Sequence, residues 1–400
     1  MTDVRLSNRA AVLKHLYAYG SLSRKELARR LNLTPASLTN ITAGLIAEKV
    51  LIEGPALDGG ARSGRKEVML ELNLKGFSAL GVYATGRTMM AFCMNLAGET
   101  LFERSLTFGD ITTGPEMFSA ISDCFDEYLS RSTEHERPTI IGIGLALVGI
   151  VDPVRGISIR SFGLWEDNFD IRTFMHGRFP DFKVFMNNNV RCIANAQNLL
   201  HNNNGTHGML FLKYGPLLGG AFVLDGAPYS GHSYQAFELA HTIVDLNGPV
   251  CRCGKRGCLE TIINFVVIAK HLEIQYSPAR MPILFDITGG DRRNISMETI
   301  LVAYDKGDRV VEETVNRAIE FLAMEIVNAM VLINTESIVL YGPPFESGAF
   351  MVRLLREIER LGGETRNMII KKSESNLKLE HFGCISIVLT DFLCSGAMMS

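Results

Sequence analysis

The sequence predicts an α/β protein in which an N-terminal winged helix-turn-helix precedes a larger α/β body. Three observations carry that expectation. Two capped helical patterns joined by a tight turn occupy residues 23–45, strand-like alternation with glycine-rich turns follows from Val50 onward, and one histidine and three cysteines gather between positions 241 and 258.

The head opens with Ala10, Leu13, Leu16 and Tyr17 at helical spacing between Leu6 and Tyr19, and Gly20 follows as a C-terminal stop. Ser23-Arg24-Lys25-Glu26 is a capping box for a second, short helix whose Leu27 and Leu31 face inward. After a turn through Asn32 and Leu33, Thr34 caps a third helix with Pro35 at its first position and Leu38, Ile41 and Leu45 as its buried stripe. Such a helix-turn-helix sets its last helix in the major groove of double-stranded operator DNA. The residues off that stripe near its start are Ala36, Ser37, Thr39 and Asn40; Asn40 suits an adenine edge and the small neighbours suit thymine methyls. A helical bundle that docks another protein is the competing reading of this pattern.

Val50-Leu51-Ile52-Glu53 and Lys66-Glu67-Val68-Met69-Leu70-Glu71-Leu72 alternate as the two strands of a wing. Its tip places Arg62, Arg65 and Lys66 on a glycine-rich loop suited to the narrow minor groove of A·T-rich DNA. The charge balance agrees. Residues 1–72 carry eleven Lys/Arg against seven Asp/Glu, whereas residues 73–400 carry 29 against 36, the distribution of a DNA-binding head on an acidic, ligand-binding body.

With 400 residues, 47% hydrophobic and 21% charged, the chain is long enough for two or three cores. The first residues lead into a charged helix rather than an apolar signal region, and no apolar run approaches membrane-spanning length. Eight cysteines without a secretion signal point to a reducing cytoplasm, where thiols stay free or bind metal.

Glu238-Leu239-Ala240-His241 is followed by Cys251-Arg252-Cys253-Gly254-Lys255-Arg256-Gly257-Cys258-Leu259-Glu260. His241, Cys251, Cys253 and Cys258 supply the ligands of a closed tetrahedral zinc site, and Gly254 and Gly257 let the chain turn around the ion. With no open coordination position the zinc is structural, and the loop it holds would position the flanking Glu238 and Glu260 for a ligand.

This order, Glu-x-x-His then Cys-x-Cys-Gly-x-x-Gly-Cys-x-Glu, resembles the signature of the ROK family (repressors, open reading frames and kinases), which contains sugar kinases and sugar-responsive repressors. The resemblance extends over nearly the whole chain. It implies a two-lobed actin-like (RNase H-like) sugar-kinase body behind the winged head. The DNA-binding domain would span residues 1–75, a first lobe 76–190 with a C-terminal helix at 380–400 returning to it, and a second lobe with the zinc loop 191–379.

Within the body, Ala79 to Asn95 alternate and Leu96-Ala97-Gly98-Glu99 turn the chain back, so a hairpin opens it. In the kinases of the family this hairpin carries an Asp-x-Gly-Gly-Thr phosphate loop. Here Tyr83 stands at the Asp position and only Gly86 of the glycine pair is present, beside Arg87, which is placed to attract an anion. The strand Ile140 to Val148 leads into Gly149-Ile150-Val151-Asp152, where Val148 replaces the family's proline and Gly149 matches a position close to the sugar. In Val184-Phe185-Met186-Asn187-Asn188-Asn189, Asn188 matches the sugar-binding asparagine. Asn189 replaces the catalytic aspartate, and an amide cannot accept the sugar's proton. The second phosphate loop reads Gly215-Pro216-Leu217-Leu218-Gly219-Gly220, in which Pro216 removes a backbone N–H and Leu217 adds bulk, and Pro343 and Pro344 follow Gly342 in the adenosine-side segment. Four such departures imply no catalytic residue, no ATP and no phosphoryl transfer.

The ligand side departs less. Gly149, Asn188, Asn189, Glu238, His241 and Glu260 stand at positions resembling sugar contacts, and amides and carboxylates suit vicinal hydroxyls. Trp165 is either a platform for an apolar sugar face or a core tryptophan. Phe265 to Ile274 and Val311 to Ile333 are helices for the core or for a homodimer or homotetramer interface, and Asp391 to Ser400, apolar and small, end the C-terminal helix. The expectation is a cytoplasmic, zinc-bearing repressor of carbohydrate-utilisation genes, whose sugar or sugar-derivative effector closes the lobes and changes the spacing of the heads. A bifunctional sugar kinase that binds DNA, and a repressor controlled by a protein partner, are the alternatives.

Overall fold

Local capping sets the head. In the computed structural model, which describes residues 2–54, 67–131, 133, 137–201, 208–362, 369–373 and 378–398, helix α1 (Thr2–Tyr19) is followed by the short strand β1 (Leu22–Ser23). The Ser23 side chain accepts from the Glu26 N–H and starts α2 (Arg24–Leu31); Thr34 accepts from the Ser37 N–H and starts α3 (Pro35–Ala47). Asn32, with φ at 52°, makes the tight turn between them. Leu38, Ile41 and Leu45 are buried as their spacing predicts, as are Leu13, Leu16 and Leu27. Strands β2 (Leu51–Glu53) and β3 (Met69–Leu72) pair antiparallel, and β1 adds to the other edge of β3 in the order β1-β3-β2. The expected tip residues Arg62, Arg65 and Lys66 lie outside the described residues.

The chain divides into two compact units, Met1–Asn204 with Ser375–Ser400, and Gly205–Glu374. The head therefore shares a unit with the first half of the body. There β4 (Phe77–Thr85), β5 (Thr88–Asn95) and β6 (Thr100–Thr107) form a meander, with a turn at Gly86-Arg87 inside the stretch expected as one run. Helix α4 (Gly114–Ser130) crosses to β7 (Thr139–Leu147), which lies parallel to β4. A small sheet of β8 (Ile150–Asp152), β9 (Ile157–Arg160) and β10 (Phe169–Asp170) and the helix α5 (Ile171–Arg178) lead to β11 (Val184–Asn188), parallel to β7, and then α6 (Asn189–Leu200). The main order is β11-β7-β4-β5-β6.

One face of this sheet buries Leu80, Val82, Leu145, Phe118, Phe125 and Trp165. Trp165 is a core tryptophan: its indole N–H donates to Ser158 Oγ at 2.9 Å and its ring meets Phe118 edge-on at 5.8 Å. The other face receives the C-terminal helix, Leu379–Cys394. It begins near the expected position but ends well before Ser400, because Gly396 and Ala397 turn at φ 69° and 61°. A Cβ on Gly144 of β7 would overlap the Cys384 carbonyl, so only glycine lets helix and strand approach this closely.

The second unit repeats the strand scheme in a sheet of order β14-β13-β12-β15-β16. Here β12 (Gly208–Tyr214), β13 (Leu218–Leu224) and β14 (Ala227–Pro228) form the meander, and β15 (Ser337–Tyr341) and β16 (Ile369–Lys372) are the added parallel strands. Helices Phe265–Gln275, Arg309–Ile333 and Gly348–Gly362 cover its core, which includes Leu212, Tyr214, Leu322, Ile338 and Phe350. Among the described residues no helix is long and apolar enough to cross a membrane.

His381, on the C-terminal helix, is 1% exposed and stacks on Phe92 at 4.4 Å. Burial holds its imidazole below the usual histidine pKa, with Glu103 opposing. A group that binds its proton less readily when folded contributes stability that is complete above its unfolded pKa, about 6.5, and is lost as the pH falls toward the folded value. Stability in urea should therefore fall between about pH 7.5 and 5.5, with up to about 1.4 kcal/mol per pH unit from this one proton. His381→Gln should flatten that slope; an unchanged slope would remove His381 as its source.

Candidate functional site

The zinc-type ligands converge. The ligating atoms of His241, Cys251, Cys253 and Cys258 all lie within 4.8 Å of one another. Two glycines make this possible: Gly254 and Gly257 sit at φ 91° and 71°, and a Cβ on Gly257 would overlap the Asp245 carbonyl. Cys251 N–H donates to the Lys255 carbonyl at 2.7 Å and Gly254 N–H to the Cys251 carbonyl at 2.9 Å. Lys255 Nζ reaches the His241 carbonyl at 2.7 Å, fastening the histidine segment to the knot. Burial first, then the neighbouring Cys253 and Cys251 thiols, push the Cys258 thiol up to about 12. Three crowded thiols and an imidazole are a donor set that a soft divalent cation fits, since the cation supplies the charge against which the thiols ionise.

The knot also fixes Glu260, whose carboxylate is 7% exposed. One oxygen lies 3.3 Å from His241 Nδ1 and the other 2.9 Å from Arg252 Nε. The sequence points to Glu260 and His241; Arg252 is signalled only by its place between Cys251 and Cys253. Glu238 is half-buried at the start of the single helical turn Leu239–His241.

In the first unit, Asn188 ends β11 and caps α6. Its Oδ1 accepts from the Val190 and Arg191 N–H groups, and its Nδ2 donates to the Gly149 carbonyl at 2.9 Å. One amide hydrogen remains for a further partner. Gly149 has φ at 95°, and a Cβ there would overlap the Arg160 carbonyl, so its glycine is required by the β8–β9 approach whatever it contacts. Asn189, expected at the position of the family's aspartate, donates from Nδ2 to the Ala84 carbonyl of β4 at 3.3 Å. A carboxylate could not make that bond.

The segments expected to resemble nucleotide loops bond their own chain. Arg87 does not offer its charge to an anion: it donates to the carbonyls of Gly109, Asp110 and Gly163 and pairs with the Asp110 carboxylate. Tyr83 is buried in β4. The connection Gly215–Leu217 is a tight hairpin in which Gly215 N–H bonds the Leu217 carbonyl and Pro216 has no N–H, leaving one amide where a phosphate cradle needs several.

On the head, Ala36, Thr39 and Asn40 are exposed along one side of α3 and Ser37 is half-buried. Thr39 Oγ1 donates back to the Pro35 carbonyl at 2.8 Å, which leaves its methyl to face outward.

A helix-turn-helix head joined to paired five-stranded sheets, with a Cys3His cluster in the second, defines a helix-turn-helix protein built on an actin-like body. The chain belongs to the ROK family, whose model matches residues 79–379. It is 23% identical to a xylose repressor of Caldicellulosiruptor bescii over 98% of both chains. It is 26% identical to the DNA-binding transcriptional dual regulator NagC of Escherichia coli K12 over 85% of this chain and 81% of that one. A crystal structure of a ROK family transcriptional regulator, a homologue of the Escherichia coli MLC protein, shares the fold with a TM-score of 0.81 at 22% identity over 98% of both chains.

Asn189→Asp removes the donor to Ala84 and sets a carboxylate against a carbonyl, so it should cost about 1–3 kcal/mol of stability in urea unfolding. A neutral or stabilising effect would mean that the Asn189–Ala84 bond is not made in solution.

Proposed function

We propose that this chain is a sugar-responsive, DNA-binding transcriptional repressor of carbohydrate-utilisation genes, acting in the cytoplasm as a homodimer or homotetramer. Its body, in this reading, binds a sugar or sugar derivative without phosphorylating it. The observation that carries the reading is the Asn189 bond to Ala84: the position of a catalytic base holds an amide that donates to the backbone, in a chain that keeps a well-formed helix-turn-helix. The names of the two relatives, a repressor and a transcriptional regulator, support the same class.

We assign residues 1–75 to DNA binding, 76–190 with 380–400 to the first lobe, and 191–379 to the second. Ala36, Ser37, Thr39 and Asn40 face the bases and Arg62, Arg65 and Lys66 the minor groove. We assign Gly149, Asn188 and Asn189 in the first unit, and Glu238, His241 and Glu260 in the second, as effector-contacting residues. His241, Cys251, Cys253 and Cys258 hold a structural zinc, which supplies cross-linking and no chemistry. The purified protein should carry about one zinc per chain, and Cys253→Ser should lose it together with thermal stability; a variant that keeps both would refute the zinc assignment.

Thermal stability of the zinc-loaded protein against xylose, N-acetylglucosamine, glucose and their phosphates and acids tests the effector reading. A true effector at about a hundred times its dissociation constant adds roughly 2.7 kcal/mol. The effector so identified should alter operator affinity without supporting ATP turnover above background. Sugar-dependent turnover would favour a bifunctional kinase, and a folded protein that responds to none of the panel would favour control by a protein partner.

A further inference from the structure

Arg9 of α1 is 7% exposed, a guanidinium set into the apolar interior of the head. Its Nε donates to the Gly396 carbonyl at 3.0 Å, and Nη1 and Nη2 donate to the two Glu48 carboxylate oxygens at 2.9 and 2.5 Å. Glu48 is the C-cap of α3, its own N–H bonding the Gly44 carbonyl. One planar fork thus grips both the end of the helix assigned to DNA reading and a backbone segment 387 residues away. Gly396 makes room: a Cβ there would lie 3.0 Å from Arg9 Cβ, on a backbone with φ at 69°. The turn that presents it is tied back to the C-terminal helix by Ser395 N–H to the Asp391 carbonyl and Ala397 N–H to the Phe392 carbonyl.

The same helix is keyed to α6. Gly383 lies so close to α6 that a Cβ would stand 3.1 Å from the Cys192 carbonyl carbon. Asn195 Nδ2 donates to Ser386 Oγ at 3.0 Å and to Thr390 Oγ1 at 3.1 Å, and Ser386 Oγ contacts the Cys192 carbonyl at 3.3 Å. The first turn of α6 is held by Asn188, so a partner that moves Asn188 moves the helix it caps.

We propose that Arg9 is a positioning residue through which the body sets the recognition helix, with α6 and the C-terminal helix as the rigid elements that connect Asn188 to it. This rests on the reading of α3 as the DNA-contacting helix and of Asn188 as an effector contact. A shift of about 1–2 Å in one helix is the scale on which packed helices switch, and directional polar contacts between close-packed helices pass such a shift on.

Hydrogen–deuterium exchange on the full chain tests this without DNA or sugar. Arg9→Lys keeps the charge but loses the fork, and Glu48→Gln, at a position 44% exposed, leaves the core untouched. Both should raise exchange in α3 and in residues 395–398 about tenfold while α4 and β7 keep wild-type protection. Asn195→Ala, which touches neither segment, should raise exchange in the same two places, and the Arg9→Lys/Asn195→Ala pair should exceed Arg9→Lys in α3 by less than additivity requires. Wild-type α3 exchange in Asn195→Ala, or in Glu48→Gln, overturns the proposal. Operator titration then separates the two readings: about a tenfold affinity loss in each variant supports both, while a wild-type chain that binds no operator DNA defeats the repressor reading and leaves the exchange result to decide the coupling.

Discussion

At Gly144 the C-terminal helix and strand β7 lie so close together that a Cβ would overlap the Cys384 carbonyl. Gly144 supplies the missing atom on the strand, Cys384 presents its carbonyl to the gap, and Gly383 gives the same helix its close approach to α6. Much follows from that contact. The sheet of the first unit has its second face covered by a segment that returns from beyond the second unit, and the turn after the helix meets α1 at Arg9. Close packing of this kind tolerates neither added volume nor a gap, so strand, two helices and the head hold their positions together.

Several polar and turn residues of the body are engaged by the chain's own backbone. Asn189 ties α6 to β4, Arg87 clamps three carbonyls of neighbouring loops, and the hairpin at Gly215–Leu217 closes on itself. In each case the chain's own backbone is the partner. Asn188 and Glu260 are held differently. Asn188 is oriented by the helix it caps and Glu260 by Arg252 and His241, so their remaining hydrogen-bonding capacity points in directions the fold has already fixed.

The features legible in the sequence are those decided within a few residues. Ser23, Thr34 and Pro35 announce helix starts by satisfying nearby N–H groups, and the cysteine spacing with Gly254 and Gly257 announces a knot because the ligands and the turns that join them are contiguous. The illegible features are decided at long range. The Arg9–Gly396 bond joins residues 387 apart in the chain, and β1, two residues long, exists because β3 offers an edge. Arg87 is charged and near a turn, which suggests an anion, yet carbonyls 22, 23 and 76 residues away claim it. Trp165 was open between platform and core until Ser158 and Phe118 were seen to enclose it.

The contact between Arg9 and Gly396 also orders events in time. A ribosome releases α1 first and must add 387 residues before the carbonyl that Arg9 grips exists. During that interval the guanidinium has Glu48 but not the body, and α3 is not yet set by it. A partly made chain therefore holds α1 without this contact, which closes only once the C-terminal helix and the turn beyond it have been made.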